Sequence, residues 1–352
     1  MSLQALQDRI REAAGRGTAL RLRGGGSKDF YGNAPRGEIL DTRAYAGVVA
    51  YEPTELVVTA RCGTSLLELE ETLREKGQFL PFEPPHFGAA ATVGGCVAAG
   101  LSGPRRAASG AVRDFLLGTK LIDGRGNVLV FGGQVMKNVA GYDVSRLLAG
   151  SLGTLGLIAE ASIKVLPRPP AEATLQLRMT EERALEALNR WAGQPLPVSA
   201  SAWHDGELGM RLSGSEAGVR AAAAKIGGEA VPEAQAAAFW QGVREQSAPF
   251  FAGEEPLWRL AVPPATPPLR LPGRQMIEWG GGLRWLKSGA DGQAIREAAQ
   301  RARGHATLFR VDRRSGEAFS PLDPLQMRLH RELKAAFDPA GILNPGRLYV
   351  QL

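Results

Sequence analysis

Three glycine-rich segments follow one another in the first half of this 352-residue chain, and they limit what it can build. The first, Arg23-Gly24-Gly25-Gly26-Ser27-Lys28, follows residues 18–23, where apolar and polar residues alternate as in a short strand. Residues without Cβ let backbone N–H groups converge on phosphate oxygens, and Ser27 adds a hydroxyl donor. A tight turn is the other reading. The order and spacing of a Walker A loop are absent, as is a Rossmann fingerprint opening a helix. The second segment, residues 84–118, contains Pro84-Pro85-His86-Phe87-Gly88, then Ala91-Thr92-Val93-Gly94-Gly95-Cys96, then Ser102-Gly103 and Ser109-Gly110. Such a run lets backbone lie flat against a large planar group, or lets a helix pack closely on a sheet. The third, Gly150-Ser151-Leu152-Gly153-Thr154-Leu155-Gly156, precedes a strand-like run and by itself signals only a turn.

Periodicity supplies the surroundings. Residues 3–14 read as a helix closed by Gly15 and Gly17, and 56–61 as a strand. Residues 65–76 read as a helix with a capping box, Ser65 and Glu68, and Gly77 beyond its end. Residues 116–122 and 128–131 flank Asp123-Gly124-Arg125-Gly126 and read as a hairpin. Residues 157–166 form a strand that stops at Pro167-Arg168-Pro169-Pro170, a candidate domain boundary. Beyond it, 181–191 is an amphipathic helix, with strand-like runs at 199–203, 207–212, 257–262 and 275–279. Residues 217–238 read equally as low complexity or as periodic helix. Helix resumes at Pro324. The expected organisation is a glycine-rich α/β domain at 1–168, a smaller antiparallel α+β lobe at 169–320, and a C-terminal segment at 321–352 that returns to the first domain. The fold class is α+β.

Composition excludes several functions. The net charge is +6, but arginine is scattered, with only short pairs such as Arg105-Arg106 and Arg313-Arg314, so nucleic acid is not an expected partner. Two cysteines, Cys62 and Cys96, give no disulfide framework and no iron–sulfur motif, and a reducing cytoplasm suits them. The polar N-terminal stretch lacks a signal-peptide h-region, and no apolar run spans a bilayer. Membrane association is therefore expected only peripherally, through partners, on the inner face.

Order and spacing raise the signal of the glycine segments. A glycine-rich loop, then Thr92-Val93-Gly94-Gly95, then Gly150-Ser151-Leu152-Gly153-Thr154-Leu155-Gly156, with a terminal Asp338-Pro339-Ala340-Gly341-Ile342-Leu343-Asn344-Pro345-Gly346, resembles the vanillyl-alcohol-oxidase-type family with its PCMH-type FAD-binding domain. Residues 136–147 resemble the glycolate oxidase and D-lactate dehydrogenase branch, and 135–152 with 279–286 resemble FAD-binding subunits of glycolate oxidases. The resemblance implies two α/β subdomains and an FAD held by Arg23, Gly24, Gly25, Gly26 and Ser27 at the pyrophosphate. It puts Thr92, Gly94 and Gly95 along the isoalloxazine and ribityl side, and Ser102, Gly103, Gly110 and Asp114 completing the cradle. Ile158 would meet the adenine through its backbone. Many relatives tether the flavin to His or Cys; no equivalent stands out here, so FAD is expected to be non-covalent. The implied partners are a catalytic flavin subunit and an iron–sulfur subunit, and the implied reaction is oxidation of a small 2-hydroxy acid, glycolate to glyoxylate.

Oxidising a 2-hydroxy acid needs a cation for the carboxylate, a base for the hydroxyl proton and a hydride acceptor. The chain has four histidines, His86, His204, His305 and His330, none in a metal-binding spacing, so no metal is expected. His204, in Trp203-His204-Asp205-Gly206, is the candidate base, against a plain turn residue. His86 either lines the flavin face or belongs to a loop. Arg259, Arg284 and Arg310 sit on strand-like runs and could hold a carboxylate, against ordinary solvated charge. Trp203, Trp279 and Trp285 read as core. Asn138 and Tyr142 could position the flavin or a partner, and Lys137 with Asp143 could form an ion pair. Two other functional classes stay open: a self-sufficient D-lactate or 2-hydroxy-acid dehydrogenase, and a non-catalytic scaffold subunit.

Overall fold

Residues 1–133, 143–312 and 316–352 are described by a computed structural model. The chain divides into two units: Met1–Leu101 with Ala111–Pro167 and Pro321–Leu352, and Ser102–Gly110 with Arg168–Ser320. The division at Pro167 follows the proline cluster, but the insertion of Ser102–Gly110 into the second unit departs from the continuous block expected over 1–168.

In the first unit, branched and small apolar residues build an antiparallel five-stranded sheet among the described residues. Its order is Val48–Glu52, Val57–Arg61, Leu157–Lys164, Leu116–Ile122, Val128–Gly132. The last two strands form the expected hairpin, with Ile122 opposite Val128 and the Asp123 carboxylate accepting from the N–H groups of Arg125 and Asn127. The helix Leu66–Glu75 covers the sheet with Leu66, Leu69 and Leu73, each essentially solvent-free. Burial of this kind stabilises by about 2 kcal/mol per side chain. The expected capping box does not form: Ser65 stands at the N-cap but its hydroxyl makes no cap bond, while its backbone bridges to Thr92. A second core gathers Leu6, Ile10 and Ala13 of the helix Leu3–Arg16 with Leu20, Leu40, Ile342 and Leu343. There Leu20–Arg23 pairs in parallel with Glu38–Asp41, and Leu343 bridges Leu20. Two cores on either side of one unit match the two-subdomain plan of a PCMH-type fold.

The second unit is an antiparallel eight-stranded sheet, order Glu229–Val231, Ala171–Arg178, Glu207–Gly214, Val198–His204, Arg274–Glu278, Leu283–Lys287, Leu257–Ala261, His305–Arg310. The strand Ala171–Arg178 starts immediately after the proline cluster, where sequence reading saw only a boundary. The alanine-rich stretch is two helices, Glu216–Ile226 and Glu233–Arg244, separated by the short strand Glu229–Val231. Their N-termini begin at Ser215, whose hydroxyl accepts from Gly218 N–H, and at Pro232, so caps rather than periodicity divide the run. Among the described residues no helix is long and apolar enough to cross a membrane.

A candidate FAD site in the first unit

The first unit contains an open cleft enclosing about 840 Å³ of space that is continuous with solvent. Its walls bring together the first two glycine segments and part of the third. Arg23, Gly24, Gly25, Gly26 and Ser27 line it, with Thr92, Gly94, Gly95, Gly153, Gly156 and Ile158. Nine of the expected cofactor residues therefore meet at one place, although they span more than 130 positions of sequence.

The strand Leu20–Arg23 aims the first loop. Its pleat puts Leu20 and Leu22 on one face and Arg21 and Arg23 on the other. The chain then turns through Gly26, whose φ is +72°. That conformation suits glycine, and it lets the Arg23 guanidinium lie where a Gly26 Cβ would stand, with an Arg23 nitrogen 2.2 Å from that position. Among the described residues nothing accepts a hydrogen bond from the N–H of Gly24, Gly25, Gly26 or Ser27. Four consecutive unpaired donors on a cleft wall form a concavity that suits an anion.

Gly25 is required for a reason the sequence did not reveal. A Cβ there would lie 1.5 Å from the carbonyl oxygen of Ala90, so the first loop rests directly on the backbone of the second segment. That segment is not flat: Thr92 caps a short helix, Val93–Ala99, and its hydroxyl accepts from Gly95 N–H at 3.3 Å. Gly94 N–H donates to the Cys62 carbonyl at 2.9 Å. This helix packs on the third segment, with Ala98 and Val97 carbonyls accepting from Leu152 and Gly150 N–H. The close-packing reading and the cofactor reading of these small residues thus hold together.

The terminal motif closes the other side. Asn344 lines the cleft, accepts from Leu22 N–H at 2.7 Å and donates to the Leu152 carbonyl at 2.6 Å, joining strand, third segment and C-terminus. Arg347, buried, donates to the carbonyls of Tyr31 at 2.6 Å and of Asn33. Neither residue was given a role from sequence; Asn344 lies inside the terminal motif and Arg347 directly follows it, and that position was the available signal.

Other expected residues lie elsewhere. Asp114 is exposed and accepts from Ala111 N–H in its own turn, and it is not among the cleft residues. Ser102, Gly103 and Gly110 belong to the second unit, where the Gly103 carbonyl accepts from Trp279 Nε1 at 3.0 Å. His86 is buried with Nε2 3.2 Å from Glu70 Oε1, while its carbonyl accepts from Lys28. Lys137, Asn138, Tyr142, Arg313 and Arg314 lie outside the described residues. Asp143 caps the helix Val144–Leu148 and pairs with Arg146 at 2.9 Å.

The catalytic candidates of the second unit have structural occupations. His204 stands beside the hairpin turn Asp205-Gly206, its Nδ1 2.9 Å from the Gln275 carbonyl and its ring edge-on to Phe250. Arg284 is fully buried, donating to the carbonyls of Gly281 at 2.8 Å and Thr266 at 2.7 Å, with Glu181 at 3.6 Å. Burial pulls its guanidinium down to about 10 and pushes the Glu181 carboxyl up. Such an arginine holds the lobe together and is not disposed to take a substrate carboxylate. Arg284→Met is expected to cost about 3 kcal/mol of stability in urea unfolding, by stranding two carbonyls and Glu181. Arg259 lies over the Trp279 ring at 5.2 Å, with Arg106 on the same indole at 4.4 Å. Trp279 and Trp285 are buried and Trp203 partly so, each indole N–H hydrogen-bonded, as core residues. Among the described residues no cluster of His, Cys, Asp and Glu could hold a metal.

Comparison with known proteins agrees with this geometry. Residues 1–132 match the family model "FAD binding domain", and residues 318–348 match "FAD linked oxidases, C-terminal domain". The fold is similar to that of a solved alkyldihydroxyacetonephosphate synthase, with a TM-score of 0.69 at 17% identity over 97% of this chain and 75% of that one. The cleft, the two cores and these matches define a flavoprotein with an FAD-binding domain and the C-terminal domain of FAD-linked oxidases.

Within that class the relationship is specific. The chain is 48% identical over 349 residues to glycolate oxidase subunit GlcE of Escherichia coli K12, covering 99% of this chain and 98% of that protein. It belongs to the GlcE family of glycolate oxidase subunits. Glycolate oxidase subunit GlcD of Bacillus subtilis is 32% identical over 155 residues, 44% of this chain and 33% of that protein. A D-lactate dehydrogenase of Archaeoglobus fulgidus is 31% identical over 199 residues, 55% and 44% respectively. The residues present fit FAD: the unpaired amides on the cleft wall would suit a diphosphate, and the small residues beside them leave room for the rest of the group.

Proposed function

We propose that this chain is the FAD-binding subunit of a glycolate oxidase complex that oxidises glycolate to glyoxylate and passes electrons to partner subunits. The observation that carries the reading is the row of unpaired amides at Gly24–Ser27 on a cleft shared with Thr92, Gly94, Gly95 and Ile158. Arg23 and that row hold the diphosphate. Thr92, Gly94 and Gly95 lie along the ribityl and isoalloxazine portion, and the backbone at Ile158 takes the adenine. When bound, FAD supplies the hydride acceptor that no side chain provides.

The cofactor is held without a covalent bond. Cys62 lines the cleft, but burial pushes its thiol up to about 12, so the nucleophilic thiolate is scarce. Cys62 and Cys96 are both buried and cannot build an iron–sulfur cluster between them, which supports a separate iron–sulfur subunit beside a catalytic flavin subunit. The complex is cytoplasmic and peripheral on the inner membrane face through those partners.

Reconstitution tests this assignment. Glycolate-dependent reduction of an artificial acceptor is expected from the chain combined with both partner subunits and not from the chain alone. Turnover of D-lactate or glycolate by the isolated chain would instead establish a self-sufficient dehydrogenase, a reading favoured by the Archaeoglobus relative. Full activity of the two partners without this chain would overturn the proposal.

A further inference from the structure

We propose that Arg21 is a ligand of the cofactor diphosphate, supplied by a second arginine that the strand pleat places beside Arg23. This rests on FAD occupying the first-unit cleft. Arg21 and Arg23 alternate with Leu20 and Leu22, so both guanidinium groups leave the same face of the strand. They converge on one atom: Asp29 Oδ2 accepts from Arg21 at 2.5 Å and from Arg23 at 3.0 Å. One carboxylate therefore faces two guanidinium groups on the cleft wall, and Arg21, Arg23 and Asp29 all line that cleft. Arg347 fixes the loop that carries Asp29, donating to the backbone carbonyls of residues 29, 31 and 33.

A second observation points to a ligand. The Nε of Arg21 is buried and has no hydrogen-bond partner, although its side chain as a whole is 22% exposed. A buried guanidinium N–H is ordinarily satisfied, so Arg21 is a cleft-lining arginine that Asp29 leaves with unused donor capacity. The neighbouring amides of Gly24–Ser27 want the same kind of acceptor, so one dianionic group answers both. Asp29 holds the two forks in place beforehand, which lowers the ordering cost at binding.

The test is a fluorescence titration of the full-length chain, freed of FAD, with FAD and separately with ADP, at low and high salt. Arg21→Gln is expected to weaken FAD and ADP alike by about tenfold or more and to flatten the salt dependence, since one screened cation is lost. The melting temperature of the FAD-free protein is expected to stay at the wild-type value. Arg21→Lys should restore the salt dependence without the full affinity, because the planar fork is missing. Unchanged affinity in Arg21→Gln, with binding abolished in Gly25→Val, would overturn the role of Arg21 and leave the cleft assignment standing. Unchanged affinity in both variants would overturn the cleft assignment and the inference with it. Weakened binding with an unchanged salt slope and a lower FAD-free melting temperature would make Arg21 structural only, which also refutes the inference.

Discussion

Gly25→Val is expected to yield a folded but colourless protein. The valine Cβ would stand 1.5 Å from the Ala90 carbonyl oxygen, and backbone at that distance cannot be avoided by rotating a side chain. Either the 23–28 loop, which lines the cleft, or the segment leading into Thr92, itself a cleft residue, must move. Displacing the amide row by an ångström forfeits several charge-assisted hydrogen bonds, so FAD affinity should fall by a factor on the order of a thousand. The contact adjoins Ala91 and Val93 at the edge of the larger core, so the far-ultraviolet circular dichroism is recorded alongside and is expected to be that of the wild type. The measurement is the flavin absorbance per mole of purified chain. Retention of the wild-type flavin content would refute the loop's role.

The second large effect lies at the C-terminus. Lys334 is buried and donates to Asp338 Oδ2 at 2.7 Å, to the Thr154 carbonyl at 2.8 Å and to the Leu343 carbonyl at 2.7 Å. Asp338, with no exposed side-chain surface, also accepts from the N–H groups of Ile342 and Leu343. Burial pulls the Lys334 ammonium down while Asp338 holds it up, so the charge survives only in company. Lys334→Met leaves a buried carboxylate and two orphan carbonyls, and is expected to cost about 3–5 kcal/mol in urea unfolding. The same lysine ties the third glycine segment to the terminal motif, so the variant should also lose FAD during purification. A change of a few tenths of a kcal/mol would show that the pair is dispensable.

Much of this was legible in the sequence, because the signals were local. The hairpin over Leu116–Ile122 and Val128–Gly132 announced itself through Asp123-Gly124-Arg125-Gly126. The proline cluster coincides with the edge of the first unit, and each of the three glycine segments contributes residues to one cleft. What stayed hidden depended on contacts between distant residues. Nothing near Gly25 in sequence points to Ala90, and nothing near Ser65 shows that Thr92 occupies its backbone. Lys334 and Arg347 look like ordinary surface cations until the carbonyls of Thr154, Tyr31 and Asn33 surround them. In the second unit the backbone partners of Arg284 and His204 were the hidden part: both hydrogen-bond carbonyls remote from them in sequence or set by the fold. The resemblance put Ser102, Gly103 and Gly110 in the cradle, and the stretch that carries them also makes contacts within the second unit, such as Arg105 with Glu172 at 2.7 Å, that no local signal revealed.

The central claim is that this chain carries FAD, non-covalently, and hands its electrons to partners. The most direct measurement is the visible spectrum of the purified full-length chain before and after anaerobic glycolate, followed by acid precipitation. The expected result is a flavin band at one FAD per chain, stable to glycolate in the absence of partners, with all the flavin released into the acid supernatant. Flavin retained in the precipitate, a band bleached by glycolate without partners, or a chain that is colourless both alone and within its complex would contradict it.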